Sequence, residues 1–334
     1  MTGTLKSPIV SIVVPVYNAQ TYLRETLDSL LAQTYVQMEV VCVNDGSTDS
    51  SLSILVEYAQ RDPRIRIIDK DNEGVSAARN AGILEVRGEY ITFVDADDVV
   101  DGKWVEIGVS LMERTAADVV QLGYSCWNGG PRGPVCEDLN LELINGRNDI
   151  LAWGWRGFRR QGFVWRLFYR KTVVASNFPK DVELAGDSLW ALSMIGKCKS
   201  ACCADYRGYW YRQTAGSSVR RRRSSISALS YMRTIVEIFQ DQIRLTNDSR
   251  SQYVMREELA RGVWFALYTW ASAARDKRFA NEIRNAFVRA RCMAGVRVPM
   301  WSLGVSWLYA KTGWLMPIRL TVFLAETVAK VARM

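Results

Sequence analysis

The stretch Gly88-Glu-Tyr-Ile-Thr-Phe-Val-Asp-Ala-Asp-Asp98 is the most informative part of the chain. Its apolar residues 90–94 predict a buried strand, and three carboxylates follow that strand within four positions. Carboxylates this close together repel one another unless a divalent cation is shared between them. The stretch therefore predicts a buried strand with a metal ion at its carboxyl end.

Similar β-branched runs recur along the chain, at residues 9–16, 39–43, 65–68 and 118–122. Two helical faces lie between them, one made by Leu23, Leu27, Leu30 and Leu31 and the other by Leu52, Leu55, Val56 and Ala59. Strands that alternate with helices predict right-handed βαβ units. The expected fold is α/β, with a Rossmann-like, mainly parallel sheet flanked by helices.

Polar residues follow the ends of four successive strands in this pattern. They are Tyr17 and Asn18, then Asp45, then Arg79 on the helix after the third strand, and finally Asp95, Asp97 and Asp98. Ligands of such sheets bind at the carboxyl ends of the strands, so these side chains are expected to share one site. A G-x-G-x-x-G loop is absent after the first strand, as is a Walker sequence, which removes the main support for a dinucleotide-binding or P-loop protein. A diphosphate bridged by a metal ion and flanked by Arg79 is the expected ligand.

The composition restricts the chemistry further. The 334 residues include no histidine, so acid–base catalysis and metal binding are expected to fall to carboxylates, and the metal is expected to be Mg²⁺ or Mn²⁺. The seven cysteines show no C-x-x-C spacing, which argues against a zinc site. No charged segment followed by an apolar one begins at Met1, and a cytoplasmic protein is therefore expected.

Four segments, in their order and spacing, resemble the family-2 glycosyltransferases of the GT-A fold, of the type that builds bacterial cell-surface glycans. They are Ser11-Ile-Val-Val-Pro-Val-Tyr-Asn18, Val43-Asn-Asp-Gly-Ser-Thr-Asp49, Gly74-Val-Ser-Ala-Ala-Arg-Asn-Ala-Gly82 and the stretch that ends at Asp98. The resemblance implies a nucleotide-sugar donor and an inverting transfer of the sugar to an acceptor. The expected GT-A domain occupies residues 1–222.

The resemblance also implies roles for individual residues in the donor site. Tyr17 is expected to stack near the base, with Pro15 in the same donor-binding segment. Asp45 is expected to accept a hydrogen bond from N3–H of uracil, which thymine also offers and cytosine lacks. Arg79 and Arg212 are expected to face the diphosphate.

The resemblance also implies that the acidic group binds the metal ion. Asp97 is expected to be the principal metal ligand, and Asp95 is expected to contact the metal or the ribose. Two roles stay open for Asp98, which could belong to this site or cap the helix that begins near Lys103.

The predicted catalytic base is Asp187, which follows Gly186 in the segment Phe178-Pro-Lys-Asp-Val-Glu-Leu-Ala-Gly-Asp-Ser-Leu-Trp190. The resemblance predicts glutamate at the position of Gly186, so this chain departs from the family pattern there. Asp181 and Glu183 are rival candidates for the base.

Two further segments resemble parts of the family site. Trp165 and Arg166 resemble the segment that lines the acceptor site, and a core position for Trp165 is an equal alternative. The segment Trp210-Tyr-Arg-Gln-Thr-Ala-Gly-Ser-Ser218 resembles the loop that closes over the leaving phosphates.

Residues 223–334 are predicted to form a helical, basic and aromatic-rich appendage. From Asp205 onward the chain carries 22 Lys and Arg against nine Asp and Glu, and the arginine run 220–223 precedes helical patterns with tryptophans at their margins. Basic helices bordered by tryptophan are typical of peripheral binding to an anionic membrane surface. A helical cap packed on the catalytic domain is the alternative. Nucleic acid is disfavoured as a partner, because the aromatic residues do not interleave with the basic ones as in single-strand binders.

These observations predict an inverting glycosyltransferase that moves a hexose from a nucleoside diphosphate sugar to a hydroxyl of a growing, lipid-linked glycan. A UDP-sugar is the favoured donor, and the inner face of the cell membrane is the expected location. Two alternatives stay open. A nucleotidyltransferase would need a glycine-rich basic loop after the first strand, where the chain has Val16-Tyr-Asn-Ala19. A non-catalytic binder of glycans or nucleotide sugars is favoured only by Gly186.

Overall fold

A parallel four-stranded sheet lies in the N-terminal half of the computed structural model, which describes residues 10–133, 135, 139–161, 163–180, 182, 185–213, 225–259 and 262. Its strands are β1 (Val10–Val16), β2 (Met38–Asp45), β3 (Ile65–Lys70) and β4 (Tyr90–Phe93), in the order β3-β2-β1-β4. Every residue of β1 and β2 is buried, which explains why the sequences of these strands are mainly apolar and do not alternate between apolar and polar residues. The predicted α/β sheet is confirmed.

The other strands extend this sheet in mixed directions. They are β5 (Val99–Val100), β6 (Val119–Trp127), β7 (Leu141–Asn145), β8 (Leu167–Arg170) and β9 (Ser200–Arg212). The order across the described strands is β3-β2-β1-β4-β8-β6-β9-β5, and β7 pairs with the first part of β9. Strand β8 runs antiparallel to both β4 and β6, whereas β6 and β9 are parallel to each other. The sheet is therefore parallel from β3 to β4 and mixed beyond β4.

Helices cover both faces of the sheet. The helices that the structure describes include α1 (Leu23–Leu31), α2 (Ser51–Arg61), α3 (Val75–Glu85), α4 (Trp104–Thr115), α5 (Arg147–Gln161), α6 (Gly186–Ile195) and α7 (Ser225–Ile243). Side chains of α1, α2 and α4 share one core with Ile12 and Val14 of β1. Side chains of α3, α5 and α6 share a second core with Val13, which points to the opposite face of the same strand.

The predicted helical face is confirmed for α1 and partly wrong for α2. In α1 the predicted residues Leu23, Leu27 and Leu30 are buried. In α2 the buried residues are Ser51, Ile54, Leu55 and Tyr58, whereas Val56 is exposed. Tyr58 packs in the same core as α1, and its hydroxyl donates to Asp28 Oδ1 on α1 at 2.7 Å, whereas Val56 lies on the opposite, exposed side.

Helix α7 packs on α5 and α6. The Trp155 ring of α5 meets Phe239 edge to face, with 5.7 Å between the ring centroids, and its Nε1 donates to Gln242 Oε1 at 2.8 Å. Gln242 Nε2 donates in turn to the main-chain oxygen of Leu192 on α6, also at 2.8 Å. The first helix of the predicted appendage is thus held by the α/β domain, while the division after residue 222 stays a prediction.

The arginine run 220–223 and much of the predicted appendage, with its tryptophans, lie outside the described residues. In the part of the chain that is described, no helix has the length and apolar character needed to span a bilayer.

Gly82 of α3 approaches the sheet so closely that a Cβ atom there would lie 2.4 Å from Val13 Cγ1. Gly82→Ala should destabilise the protein by about 1–2 kcal/mol, because overpacking costs about 1–3 kcal/mol and the better helix propensity of alanine offsets up to ~1 kcal/mol. Urea unfolding followed by circular dichroism measures the change. Gly133→Ala adds the same methyl group in open space and should stay within about 0.5 kcal/mol of the parent chain. Equal midpoints for the two variants would contradict the close approach of α3 to β1.

Candidate active site

The loops after β1 and β2 are tied to each other at the carboxyl edge of the sheet. Asn18 takes a left-handed backbone conformation (φ 49°), and its Oδ1 accepts the Thr48 N–H at 2.8 Å. The Asn18 N–H donates to Ser47 Oγ at 3.1 Å. This turn leaves Tyr17 exposed at the end of β1, whereas Pro15 is buried inside the strand. The donor-binding roles of Tyr17 and Pro15 stay predictions, and only Tyr17 stands on an open surface.

Asp45 is buried at the end of β2, and both oxygens of its carboxylate accept hydrogen bonds. Oδ1 accepts from Lys70 Nζ at 2.9 Å and from the Glu73 N–H at 3.0 Å, and Oδ2 accepts from the Gly74 N–H at 2.8 Å. A carboxylate offers about four acceptor positions, so Oδ2 has capacity for one more donor. The same contacts fix the turn before α3, where Gly74 has a φ of 91°.

Arg79 of α3 and Asp95 after β4 form an ion pair. Arg79 Nη2 lies 2.9 Å from Asp95 Oδ1, and the arginine side chain is almost fully buried. The guanidinium carbon also lies 5.5 Å from the centre of the Phe178 ring, a cation–π distance. Arg79 Nε is buried and has no hydrogen-bond partner among the described residues. The ion pair thus joins Arg79, on the helix after β3, with Asp95, which follows β4.

Asp97 and Asp98 lie close to other negative charges. Burial and the charge of Asp95 raise the pKa of Asp97 to about 6. Burial and the charges of both neighbours raise the pKa of Asp98 well above its usual range. Oxygen donors of this kind suit Mg²⁺ or Mn²⁺, and Mg²⁺ typically takes one or two carboxylates and completes its shell with phosphate and water. Over the described residues no group of three or more His, Cys, Asp or Glu side chains is arranged to hold a metal ion, so the metal-binding roles of Asp95 and Asp97 stay predictions.

Asp98 holds the acidic loop to strand β9. Its Oδ2 accepts the Tyr209 hydroxyl at 2.7 Å, and its Oδ1 accepts the main-chain N–H of Arg212 at 2.7 Å. The alternative that Asp98 caps the next helix is wrong, because α4 begins at Trp104 and its N-cap is Lys103. The carboxylate is drawn to β9 because that strand offers two donors, which lie more than a hundred positions away in the sequence.

Arg212 lies beside the main chain of the acidic loop. Its guanidinium carbon stands 4.4 Å from the ring centre of Tyr22 and 4.2 Å from that of Trp127. Nε donates to the main-chain oxygen of Asp97 at 2.6 Å, and Nη2 donates to Glu25 Oε2 at 2.6 Å. These contacts are all with protein groups, so the predicted contact of Arg212 with a diphosphate stays a prediction.

Asp187 stands in the first turn of α6, close enough to Arg79 and Asp95 to interact with both charges. Burial raises the pKa of Asp187, the charge of Arg79 opposes this shift, and the charge of Asp95 adds to it. Part of the residue is accessible from solvent. The predicted base therefore shares one electrostatic environment with the predicted donor-site pair. Its rivals Asp181 and Glu183 lie outside the described residues.

Gly186 leaves room for a side chain beside the predicted base. A Cβ atom there would lie 3.6 Å from Ser76 Oγ and 3.9 Å from the main-chain oxygen of Pro179, which are ordinary contact distances. The left-handed residue of this turn is its neighbour Ala185, with a φ of 55°. The backbone at Gly186 therefore does not require glycine, and the departure from the family pattern removes a carboxylate without a steric reason.

Asn80 supports the site through a contact that its own neighbourhood in the sequence does not predict. Its Nδ2 donates to the Phe178 main-chain oxygen at 3.0 Å, and its Oδ1 accepts the Phe178 N–H at 2.6 Å. The Phe178 ring stacks on Trp190 of α6, with 4.2 Å between the centroids. Asn80 thus fixes the start of the segment that leads to Asp187. The only local signal for this role is its position next to Arg79.

Trp165 and Arg166 are part of an aromatic cluster. Trp165 is buried and stacks on Tyr209, with 4.4 Å between the centroids, so it supports the tyrosine that donates to Asp98. Arg166 Nε donates to the main-chain oxygen of Leu122 at 3.0 Å, and burial lowers the pKa of Arg166. The structure shows the core position for Trp165, and the acceptor-lining role of both residues stays a prediction.

The described elements are arranged as in a solved glycosyltransferase. TarS residues 1–349 of S. aureus, in complex with UDP-GlcNAc, superpose with a TM-score of 0.64 over 85% of this chain and 88% of that chain. The two sequences are 20% identical, so the likeness is one of fold. It confirms the predicted GT-A type fold.

Sequence comparisons identify the family. The family model described as Glycosyl transferase family 2 matches residues 11–162. The uncharacterized glycosyltransferase EpsJ of Bacillus subtilis (strain 168) is 34% identical over 215 residues, which are 63% of this chain and 62% of EpsJ, so less than two thirds of that relative is spanned. Glycosyltransferase GlyG of Streptococcus pneumoniae serotype 4 is 30% identical over 250 residues, which are 71% of this chain and 80% of GlyG. The chain belongs to glycosyl transferase family 2.

Proposed function

We propose that the chain is an inverting glycosyltransferase that transfers a hexose from a nucleoside diphosphate sugar, with UDP favoured, to a hydroxyl of a growing, lipid-linked glycan. The observation that carries this proposal is the meeting of Arg79, Asp95 and Asp187, which come from three different elements, at the carboxyl edge of the parallel strands. Sugar transfer from a diphosphate needs positive charge near the phosphates and a base near the acceptor. Membership of the family supports the same class of reaction.

In the proposed reaction the acceptor oxygen forms a bond to the anomeric carbon while the bond from that carbon to the diphosphate breaks. The nucleoside diphosphate leaves with the bonding electrons, the configuration inverts, and the acceptor proton passes to the Asp187 carboxylate. The raised pKa of Asp187 suits it to this task, because a carboxylate with a higher pKa accepts a proton more readily. The expected by-product is a nucleoside diphosphate without pyrophosphate, which separates this reaction from that of a nucleotidyltransferase.

Asp97 and Asp95 would hold a Mg²⁺ or Mn²⁺ ion in this proposal. Such an ion, when bound, offsets negative charge on the leaving diphosphate. The raised pKa of Asp97 supports this assignment, because a carboxylate crowded by another negative charge gains from a shared cation. Engagement of Asp95 by the ion would release Arg79 from its ion pair and allow the guanidinium to face the diphosphate.

Asp45 and Tyr17 would bind the nucleoside. The unused acceptor position on Asp45 Oδ2 can take one N–H group, and N3–H of uracil provides one. Tyr17, exposed at the end of the neighbouring strand, offers a ring on which the base can stack.

The acceptor capacity of Asp45 predicts a preference for nucleotides whose base carries N3–H. UDP and dTDP should bind, and CDP should bind at least about tenfold more weakly, because its base would leave the Asp45 oxygen without a donor. Calorimetric titration of UDP, dTDP, GDP and CDP in the presence of Mn²⁺ measures the affinities. The same UDP titration in EDTA should lose most of its affinity if the metal assignment holds. Equal binding of CDP and UDP would rule out this role of Asp45.

Removal of the proposed base should abolish most of the transfer activity. Asp187→Asn preserves the shape of the side chain and should lower kcat by about 10²–10⁴-fold, with the affinity for UDP unchanged within about twofold. Release of UDP, measured with the UDP-sugar that a thermal-shift screen selects, follows the reaction. Asp181→Asn and Glu183→Gln are the controls and should stay within a few-fold of the parent chain. An inactive control together with an active Asp187→Asn would place the base elsewhere.

The melting temperature of Asp187→Asn shows whether this variant is folded. The pKa of Asp187 is raised in the folded state above its unfolded value of about 3.9, so the parent chain loses stability as the pH rises from that value through the folded pKa. Asp187→Asn does not titrate and should therefore melt at a higher temperature than the parent at neutral pH. The difference should shrink as the pH falls toward about 4.

The basic part of the chain supports peripheral attachment to an anionic membrane surface. Each basic residue near such a surface contributes about 1 kcal/mol, so the run 220–223 can contribute at most roughly 4 kcal/mol. In flotation assays the full chain should bind anionic liposomes, and high salt or the replacement of these four arginines by glutamine should weaken binding. Equal flotation with neutral and anionic liposomes would instead assign the basic helices to packing on the domain.

A further inference from the structure

We infer that Arg212 and Glu25 form a clamp that positions Asp97, so that Arg212 is a positioning residue for the metal-binding carboxylate and not a ligand of the diphosphate. The metal-binding role of Asp97 in this inference rests on the proposed function. The clamp joins three distant parts of the chain: Glu25 on α1, the acidic loop after β4, and Arg212 at the end of β9.

The first support is the geometry of the guanidinium. Nε and Nη2 lie on one edge of the planar group, and this edge donates both to the Asp97 main-chain oxygen and to Glu25, each at 2.6 Å. Two parallel donors on a rigid plane are a property of arginine that lysine lacks. The position of the Asp97 peptide group is therefore coupled directly to the ion pair with Glu25.

The second support is the fixed orientation of Arg212 itself. The rings of Tyr22 and Trp127 lie within 4.4 Å of its guanidinium carbon, and the side chain is only 8% exposed. Its main-chain N–H donates to Asp98 Oδ1, so the residue holds the acidic loop through both its backbone and its side chain. A side chain held in this way can define where the loop lies.

The third support is that Arg79 and Arg212 contact different groups of the acidic loop. Arg79 pairs with the carboxylate of Asp95, whereas Arg212 contacts the backbone of Asp97 and leaves that carboxylate to bind a cation.

Arg132 provides a matched control for this clamp. Its Nη2 lies 3.5 Å from Glu25 Oε1, and its guanidinium carbon lies 5.3 Å from the centre of the Trp127 ring. Arg132 thus shares two of the partners of Arg212, but its side chain is 40% exposed, and these two partners within the described residues lie outside the acidic loop. Comparison of Arg132→Gln with Arg212→Gln therefore separates the effect of losing a positive charge near Glu25 from the effect of losing the contact with Asp97.

The test is the affinity for Mn²⁺, measured on the full chain by electron paramagnetic resonance without nucleotide and again with saturating UDP. Arg212→Gln should weaken Mn²⁺ binding about tenfold, since it removes charged hydrogen bonds to both Asp97 and Glu25. Arg212→Lys should recover little of this loss, because it restores the charge without the paired donors. Glu25→Gln should show a smaller loss, and the double variant Arg212→Gln/Glu25→Gln should be no weaker than Arg212→Gln alone. Arg132→Gln should stay within about twofold of the parent chain.

A second titration distinguishes the clamp from direct phosphate binding. In EDTA, Arg212→Gln should bind UDP as tightly as the parent chain does, within about twofold. A weaker affinity for UDP in EDTA together with unchanged Mn²⁺ binding would overturn the inference and make Arg212 a ligand of the diphosphate. Unchanged Mn²⁺ binding in every variant would overturn it as well. The Glu25 side chain is 41% exposed, so Glu25→Gln is expected to fold. Its Mn²⁺ affinity therefore tests the inference even if the Arg212 variants fail to fold.

The outcomes for the parent chain separate this inference from the proposed function. A chain whose Mn²⁺ affinity depends on Asp97 and Arg212, but which binds no nucleotide, would contradict the proposed function and still support the clamp. A chain that binds nucleotide but no Mn²⁺, alone or with UDP, would overturn the clamp and leave the glycosyltransferase proposal standing.

Discussion

Repulsion among three carboxylates at the end of β4 is the constraint around which the described site is arranged. Asp95, Asp97 and Asp98 leave a buried strand together, where little water is available to screen their charges. Each carboxylate has a different environment. Asp95 pairs with Arg79, Asp98 accepts hydrogen bonds from β9, and Asp97 keeps a pKa of about 6. A metal ion held by Asp97, as proposed above, would offset part of this repulsion.

Helix α3 connects this acidic loop to the proposed base. Successive residues of a helix point in directions about 100° apart, so Arg79 and Asn80 contact different partners. Arg79 reaches Asp95, and Asn80 holds Phe178, whose ring stacks on the helix that carries Asp187. The close approach of α3 to the sheet at Gly82 brings these two residues to the site. A single helix thus sets the relation between the donor side and the base.

The mixed part of the sheet also supports the acidic loop. Tyr209 and Arg212 of β9 hold Asp98, and Trp165 stacks on Tyr209. Residues that resemble the family's acceptor and loop segments therefore also serve as structural support for the donor side. Trp165 is thus linked to Asp98 through Tyr209.

The sequence by itself determined the order of strands and helices in the parallel part of the fold, because buried β-branched runs and helical spacing are local patterns. It also placed Tyr17, Asp45 and the acidic group at strand ends, and Arg79 on the helix after the third strand, so that a parallel sheet gathers them at one edge. Only the tertiary structure decided the partners of Asp98, Arg212 and Asn80, and the buried face of α2. Those features depend on contacts between residues as far apart as 98 positions for Asn80 and 187 positions for Arg212. No local pattern encodes such pairings, because each one exists only after several elements have packed on the same sheet.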